Sequence, residues 1–409
     1  MKYIGVMNLD IIKLIVIFTG IVFFIKLKKP LYISILVGAV ISVILYRIPI
    51  ITSFQLAFKS CTSRDTISLV LAFYTITYVQ RMMEKRGHLL LAEKSLDNIF
   101  NSRRINAMIA PFVIGLLPSA GAVLIAAPIV QNASGDYLTR EEQTFVTSYY
   151  RHISEAFLPT YSSILLALDL SGVDMTKFVV GMLPMVAILF ILGYVFYVRK
   201  IPKSNGISQS KDKKDDIINL IISLWPIAVT ITIILTLKIP VYMAVIPVII
   251  VSAILNKFSV DELIPMVKTA FETKLIVSTV MIMIFKELLT FTGVIGRLPE
   301  YFEKLPIHPA IIFSLIFVIG TLVAGSQAII ALALPLAFAT IPDGGLALMI
   351  LLMCMTYIAM QVSPTHICLA IVTEAFDVSF IELVKKTFPI LIIFTAITAV
   401  YSYLLFMLT

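Results

Sequence analysis

This sequence is poor in charge. Asp, Glu, Lys and Arg make up 14% of its 409 residues and hydrophobic residues 59%, far from the roughly quarter charged and half apolar of a soluble domain. No extended polar block separates the apolar runs, so no stretch is left for a soluble domain and lipid must be the solvent. The net charge is +8, yet Lys and Arg sit between apolar runs and form no basic stripe, which argues against nucleic acid as a partner. Cysteine is scarce: Cys61, Cys354 and Cys368 lack paired or metal-ligand spacing, and the last two read as buried thiols. No Gly-x-x-x-x-Gly-Lys loop is present, which argues against an ATP-driven pump unless a partner supplies the motor. The zinc-protease pattern His-Glu-x-x-His is missing as well. No metal or other cofactor is expected.

What is there is a series of apolar runs of roughly 20 residues, the length that crosses about 30 Å of hydrocarbon. The first, residues 9–25, ends at Lys26, Lys28 and Lys29 without a small-x-small cleavage site, and reads as a retained span rather than a signal peptide. Others follow at 31–46, 66–82, 143–168, 178–199, 217–237, 240–256, 274–292, 346–372 and 387–408. That predicts about ten crossings. Two further apolar stretches, 105–131 and 308–339, are interrupted by LPSAG (Leu117 to Gly121) and VAGSQ (Val323 to Gln327). Each arm has about a dozen residues, or roughly 20 Å of helix, too short to span. They read as re-entrant hairpins.

Lys26, Lys28 and Lys29, then Arg81 to Arg104, then Arg199 to Lys214 are the basic clusters. By the positive-inside rule these loops are cytoplasmic and both termini lie outside. PKSNGISQSKDKKDD (Pro202 to Asp216) reads as a cytoplasmic tether.

The chain also repeats itself. FLPTYSS (Phe157 to Ser163) and VSPTHIC (Val362 to Cys368) put Pro159 and Pro364 at an interval of 364 − 159 = 205 positions, and Pro184 and Pro389 keep the same interval. Five crossings and one hairpin per half invert the second half relative to the first. The expectation is an all-α polytopic membrane protein of two inverted repeats, 1–200 and 217–409, joined by the linker 201–216. Each repeat carries a re-entrant helical hairpin and a discontinuous helix.

Proline inside a membrane helix frees backbone groups that lipid cannot satisfy. Two hairpin tips and two breaks, at Pro159 and Pro364, therefore mark a central site. Its candidate lining is Ser119, Gly121, Thr160, Ser162, Ser163, Gly325, Ser326, Gln327, Gln361, Ser363, Thr365 and His366. Helices restarting at Thr160 and Thr365, the latter with Ser363 as N-cap and Pro364 as first helical residue, aim amide ends at the centre, which suits a carboxylate. Unwound carbonyls suit a small cation. YYRHISEAF (Tyr149 to Phe157) adds Arg151, His152 and Glu155, whose counterparts 205 residues on are Thr356, Tyr357 and Met360. Arg151 and Glu155 read either as a structural ion pair or as substrate counter-ion and proton carrier. His366 could titrate near neutrality or merely hydrogen-bond.

LPSAG, VAGSQ, PTYSS and SPTHIC on a ten-span plan resemble the prokaryotic membrane family labelled domain of unknown function 401, over nearly the whole chain. That family looks like part of the ion transporter superfamily of dicarboxylate, citrate, gluconate and arsenite carriers. The resemblance implies a multi-pass protein of the cytoplasmic membrane, a scaffold with a moving transport domain, elevator motion, a homodimer, and coupling to sodium or protons. Where sodium-coupled dicarboxylate carriers bear Ser-Asn-Thr at the hairpin tips, this chain has Pro-Ser-Ala-Gly (Pro118 to Gly121) and Ala-Gly-Ser-Gln (Ala324 to Gln327). Sequence alone thus points to a secondary active transporter for a small organic anion, not an enzyme, with membrane lipid and the substrate as its partners. A channel is the alternative, and an intramembrane metal-dependent enzyme a weaker one.

Overall fold

A computed structural model describes residues 2–99, 102–116, 122–202, 213–302, 306–364 and 366–408. Among them the regular structure is entirely helical. The first half of the chain runs through α1 (Lys2–Lys26), α2 (Leu31–Leu45), α3 (Ile50–Cys61), α4 (Arg64–Lys85) and α5 (His88–Ile99). It continues with α6 (Arg103–Ile114), α7 (Ala122–Ser134), α8 (Arg140–Ile153), α9 (Ser162–Ser171) and α10 (Met175–Phe196). The second half begins with α11 (Lys213–Leu237), α12 (Val241–Leu255), α13 (Val260–Thr269), α14 (Thr273–Phe291) and α15 (Val294–Phe302). It ends with α16 (Pro309–Ala324), α17 (Ser326–Thr340), α18 (Gly345–Met360), α19 (Ile367–Phe376) and α20 (Phe380–Leu408).

Local chemistry explains the boundaries. Proline stands at the N-cap of α2, α3 and α12, as Pro30, Pro49 and Pro240, where its missing amide costs nothing. α8 starts on a capping box: the Thr139 hydroxyl accepts from the Glu142 amide at 3.4 Å, and the Glu142 carboxylate accepts from the Thr139 amide at 3.3 Å. Among the described residues four helical stretches, α10, α11, α20 and the segment Pro342–Met360, are long and apolar enough to cross a membrane alone; α14 and α15 taken together make a fifth, bent by 71°. Leu183, Ile191, Leu404 and Leu408 are among many large apolar side chains turned outward. This is the pattern of helices solvated by hydrocarbon. The molecule is a membrane protein.

The apolar stretches at 105–131 and 308–339 each resolve into two packed helices, α6 with α7 and α16 with α17. Pro184 and Pro389 stay inside continuous helices, whereas Pro159 and Pro364 stand in gaps between α8 and α9 and between α18 and α19. Both gaps differ from expectation in register. The first helix restarts at Ser162, not Thr160, and the second at Ile367 behind His366, not at Pro364. His366, not Ser363, is the N-cap of α19, and the Ser363 hydroxyl donates to the carbonyls of Thr321 and Leu322 at 3.4 Å each, on the adjacent arm α16. Most of the linker expected at 201–216 lies outside the described residues.

Packing sorts the helices into two groups. α2 packs on α14, α4 on α12 and α14, and α5 on α11. α8 packs on α6, α7, α19 and α20, while α18 packs on α16, α20 and α10. α9 crosses between halves to lie on α17. The discontinuous helices therefore sit amid the paired short ones.

Candidate functional site

A cavity of about 420 Å³ lies where the gaps meet the tip between α16 and α17. Ser162 and Ser163 open α9, Ser326 and Gln327 open α17, and His366 precedes α19; all five side chains line it. Three helix amide ends thus converge on one space, each with N–H groups that have no partner inside their own helix. Gly325 supplies the turn. Its φ of 86° and ψ of 161° belong to a region that essentially glycine alone adopts, so α16 can end and α17 begin with no intervening loop. The Gln327 amide donates to the Ser162 hydroxyl, tying that tip to the first gap.

The first gap is held from the other side. Gly115, the C-cap of α6, offers its carbonyl to the hydroxyls of both Ser154, at 2.5 Å, and Tyr161. A Cβ on Gly115 would come within 2.1 Å of the Arg151 carbonyl, so only glycine permits this approach. In the second gap Ser363 grips the carbonyls of α16 in the same manner. Sequence reasoning missed Gly115, Ser154 and Tyr161, because a lone glycine before a hairpin tip carries no signal until its neighbour is known.

Arg151 is the largest fully buried side chain, and its guanidinium is paired with Glu155, whose side chain is 10% exposed. The carboxylate, not the guanidinium, reaches the cavity wall; among the described residues Lys29, after α1, lines the cavity with an ammonium. Burial of an ion pair is tolerable only with both charges matched, so Arg151 keeps Glu155 from presenting a bare negative charge to the cavity. His152 is buried against both, with Nδ1 2.6 Å from the Ser148 carbonyl and Nε2 2.9 Å from Nε2 of His366. Two imidazoles 214 positions apart meet face to edge.

Of the sequence-derived candidates, Ser162, Ser163, Gly325, Ser326, Gln327, Ser363, His366 and Glu155 line this cavity. Ser119, Gly121 and Thr365 lie outside the described residues. Thr160 lines an adjoining cavity of about 100 Å³ with Thr77, Gln80 and Glu272, which shares Ser162 with the first, and Gln361 is buried at the C-cap of α18. Among the described residues, His152, Glu155, His366 and Cys368 hold one donor atom each within 4.8 Å of one another. That juxtaposition is invisible in the sequence, where Cys368 reads as a buried thiol. The donor types would suit a transition metal.

The fold and cavity together define an all-helical membrane protein whose discontinuous helices enclose a polar centre. The chain belongs to the family described as "Protein of unknown function (DUF401)", which matches residues 11–406. Its fold is similar to that in the structure entitled "Crystal structure of the Alcanivorax borkumensis YdaH transporter reveals an unusual topology". The two share 11% identity over 87% of each chain, with a TM-score of 0.57. No curated protein matches.

Proposed function

We propose that this protein is an ion-coupled secondary active transporter that carries a small organic anion across the prokaryotic cytoplasmic membrane by alternating access. The observation that carries the proposal is the convergence of α9, α17 and the N-cap of α19 on one cavity that also takes Lys29. Amide ends and an ammonium favour a carboxylate. A volume of about 420 Å³ suits a small molecule. The fold likeness to a protein named as a transporter supports the same reading.

The order of helices supports the reading of ten crossings in two inverted repeats. Short α3 and α13 precede the spans α4 and α14, paired helices precede broken ones, and α10 and α20 close each half. With both termini outside, Lys29 is cytoplasmic, so the cavity opens inward and both helix pairs are re-entrant. In this reading α2, α4, α5, α11, α12 and α14 belong to the scaffold, the helices around the cavity are the elevator, and two copies assemble through their scaffolds. Sodium or protons drive the cycle.

Uptake into proteoliposomes of labelled mono-, di- and tricarboxylates, under separate sodium and proton gradients, tests this reading. At least one carboxylate is expected to enter under one gradient, with entry lost in a Ser162→Ala/Gln327→Ala double variant. If no carboxylate enters under either gradient, or the double variant transports normally, the proposed substrate site is wrong.

A further inference from the structure

His152, in the last turn of α8, and Glu155 lie at the first gap, and His366 and Cys368, in the first turn of α19, at the second, yet all four donor atoms lie within 4.8 Å of one another. We propose that these side chains form a binding site for a soft divalent metal ion of the zinc class. The inference goes beyond carboxylate transport and does not depend on it.

The geometry is close to what such an ion needs. Tetrahedral zinc with bonds of about 2.0–2.3 Å keeps its ligands roughly 3.3–3.8 Å apart. Here Nε2 of His152 is 2.9 Å from Nε2 of His366 and 4.0 Å from the Glu155 carboxylate, so the donors bracket that spacing and small side-chain rotations complete it. The His152 ring is also aimed. Nδ1 donates to the Ser148 carbonyl at 2.6 Å, which leaves the Nε2 lone pair directed at the centre, as the outer hydrogen bond of a ligating histidine does. Burial in α8 keeps the ring from swinging away.

Two imidazoles, a thiol and a carboxylate select zinc, cobalt(II) or cadmium over magnesium or calcium, which prefer oxygen throughout. The ion displaces the Cys368 thiol proton to solvent, and the proton on Nε2 of His366 passes to its Nδ1, so that both imidazoles remain neutral. Oε1 of Glu155, the oxygen that pairs with Arg151, is also the one nearest His152, so it bridges the guanidinium and the ion. The guanidinium offsets one of the two anionic ligands, which weakens the hold on any dication that does not also gain a metal–thiolate bond.

Cobalt(II) titration of the full-length protein in detergent tests the site. The chain carries no polyhistidine tag and has Cys61→Ser to remove the exposed thiol. Tetrahedral d–d bands and a thiolate-to-cobalt charge-transfer band are expected, both bleached by one equivalent of zinc. Cys368→Ser should abolish the charge-transfer band, and His152→Ala and His366→Ala should weaken affinity at least about tenfold. Cys354→Ser should change neither. The parent spectrum is decisive by itself should a variant fail to fold: absence of the charge-transfer band overturns the proposal, as does a band insensitive to Cys368→Ser.

Discussion

Arg151 is the residue on which the centre depends most, because a guanidinium buried to 2% exposure survives only beside a carboxylate. Arg151→Gln leaves Glu155 in place without its partner and should cost about 3–5 kcal/mol. Adding Glu155→Gln should restore much of that, a coupling readable in thermal unfolding of the detergent-solubilised protein. Gly325→Ala forces a Cβ into a backbone region that costs about 1–3 kcal/mol and should lower the melting temperature while leaving expression intact. How legible were these residues? Arg151 and Glu155 stand four apart on one turn, and helical spacing alone pairs them. Ser162, Gln327 and His366 were visible as polar groups beside breaks. Thr160 was visible in the same way, yet the helix restarts two residues later and Thr160 lines another cavity. The approach of His152 to His366 could not be read at all, since it depends on how two gaps 214 positions apart are packed.

At the scale of elements, the discontinuous helices are held open by hydroxyls that capture hairpin carbonyls. Tyr161→Phe removes one of two donors to Gly115 and should cost about 1 kcal/mol. Gly115→Ala should be far worse, because its Cβ would meet backbone that cannot yield; comparison of the two melting temperatures checks the order. The short helix α13 offers a pH test away from the spans. Hydrogen bonds from Arg86 hold the Glu262 carboxyl down at about 2, below its ordinary 4.5. A lowered carboxyl stabilises fully above its ordinary value and loses that contribution as pH falls toward its folded value. Protection of the α13 amides, corrected for the intrinsic exchange rate at each pH, should therefore fall between about pH 4.5 and pH 2, and Arg86→Gln should shrink that step, leaving the part owed to the Ser259 amide. α3, α5, α13 and α15 escaped the sequence reading because helices of 9 to 12 residues fall below the length at which hydropathy marks a span. Proline marked both gaps, while the true restart points depended on where Ser363 and Tyr161 found partners.

Across the whole molecule, the account joins two groups of helices to one polar centre. α2, α4, α5, α11, α12 and α14 pack largely with one another, and the helices around the cavity pack among themselves. This division suits the proposed carrier, in which one body moves against the other; from the sequence it was an expectation of the family resemblance alone. Its packing was not legible there, since α4 on α12 and α5 on α11 join opposite halves of the chain. The most direct test of the central claim is whether transport is concentrative. Proteoliposomes should accumulate a labelled carboxylate above its external concentration when a sodium or proton gradient is imposed, and release it when that gradient collapses. Flux that only equilibrates the carboxylate, or unitary currents at fixed voltage, would contradict the account.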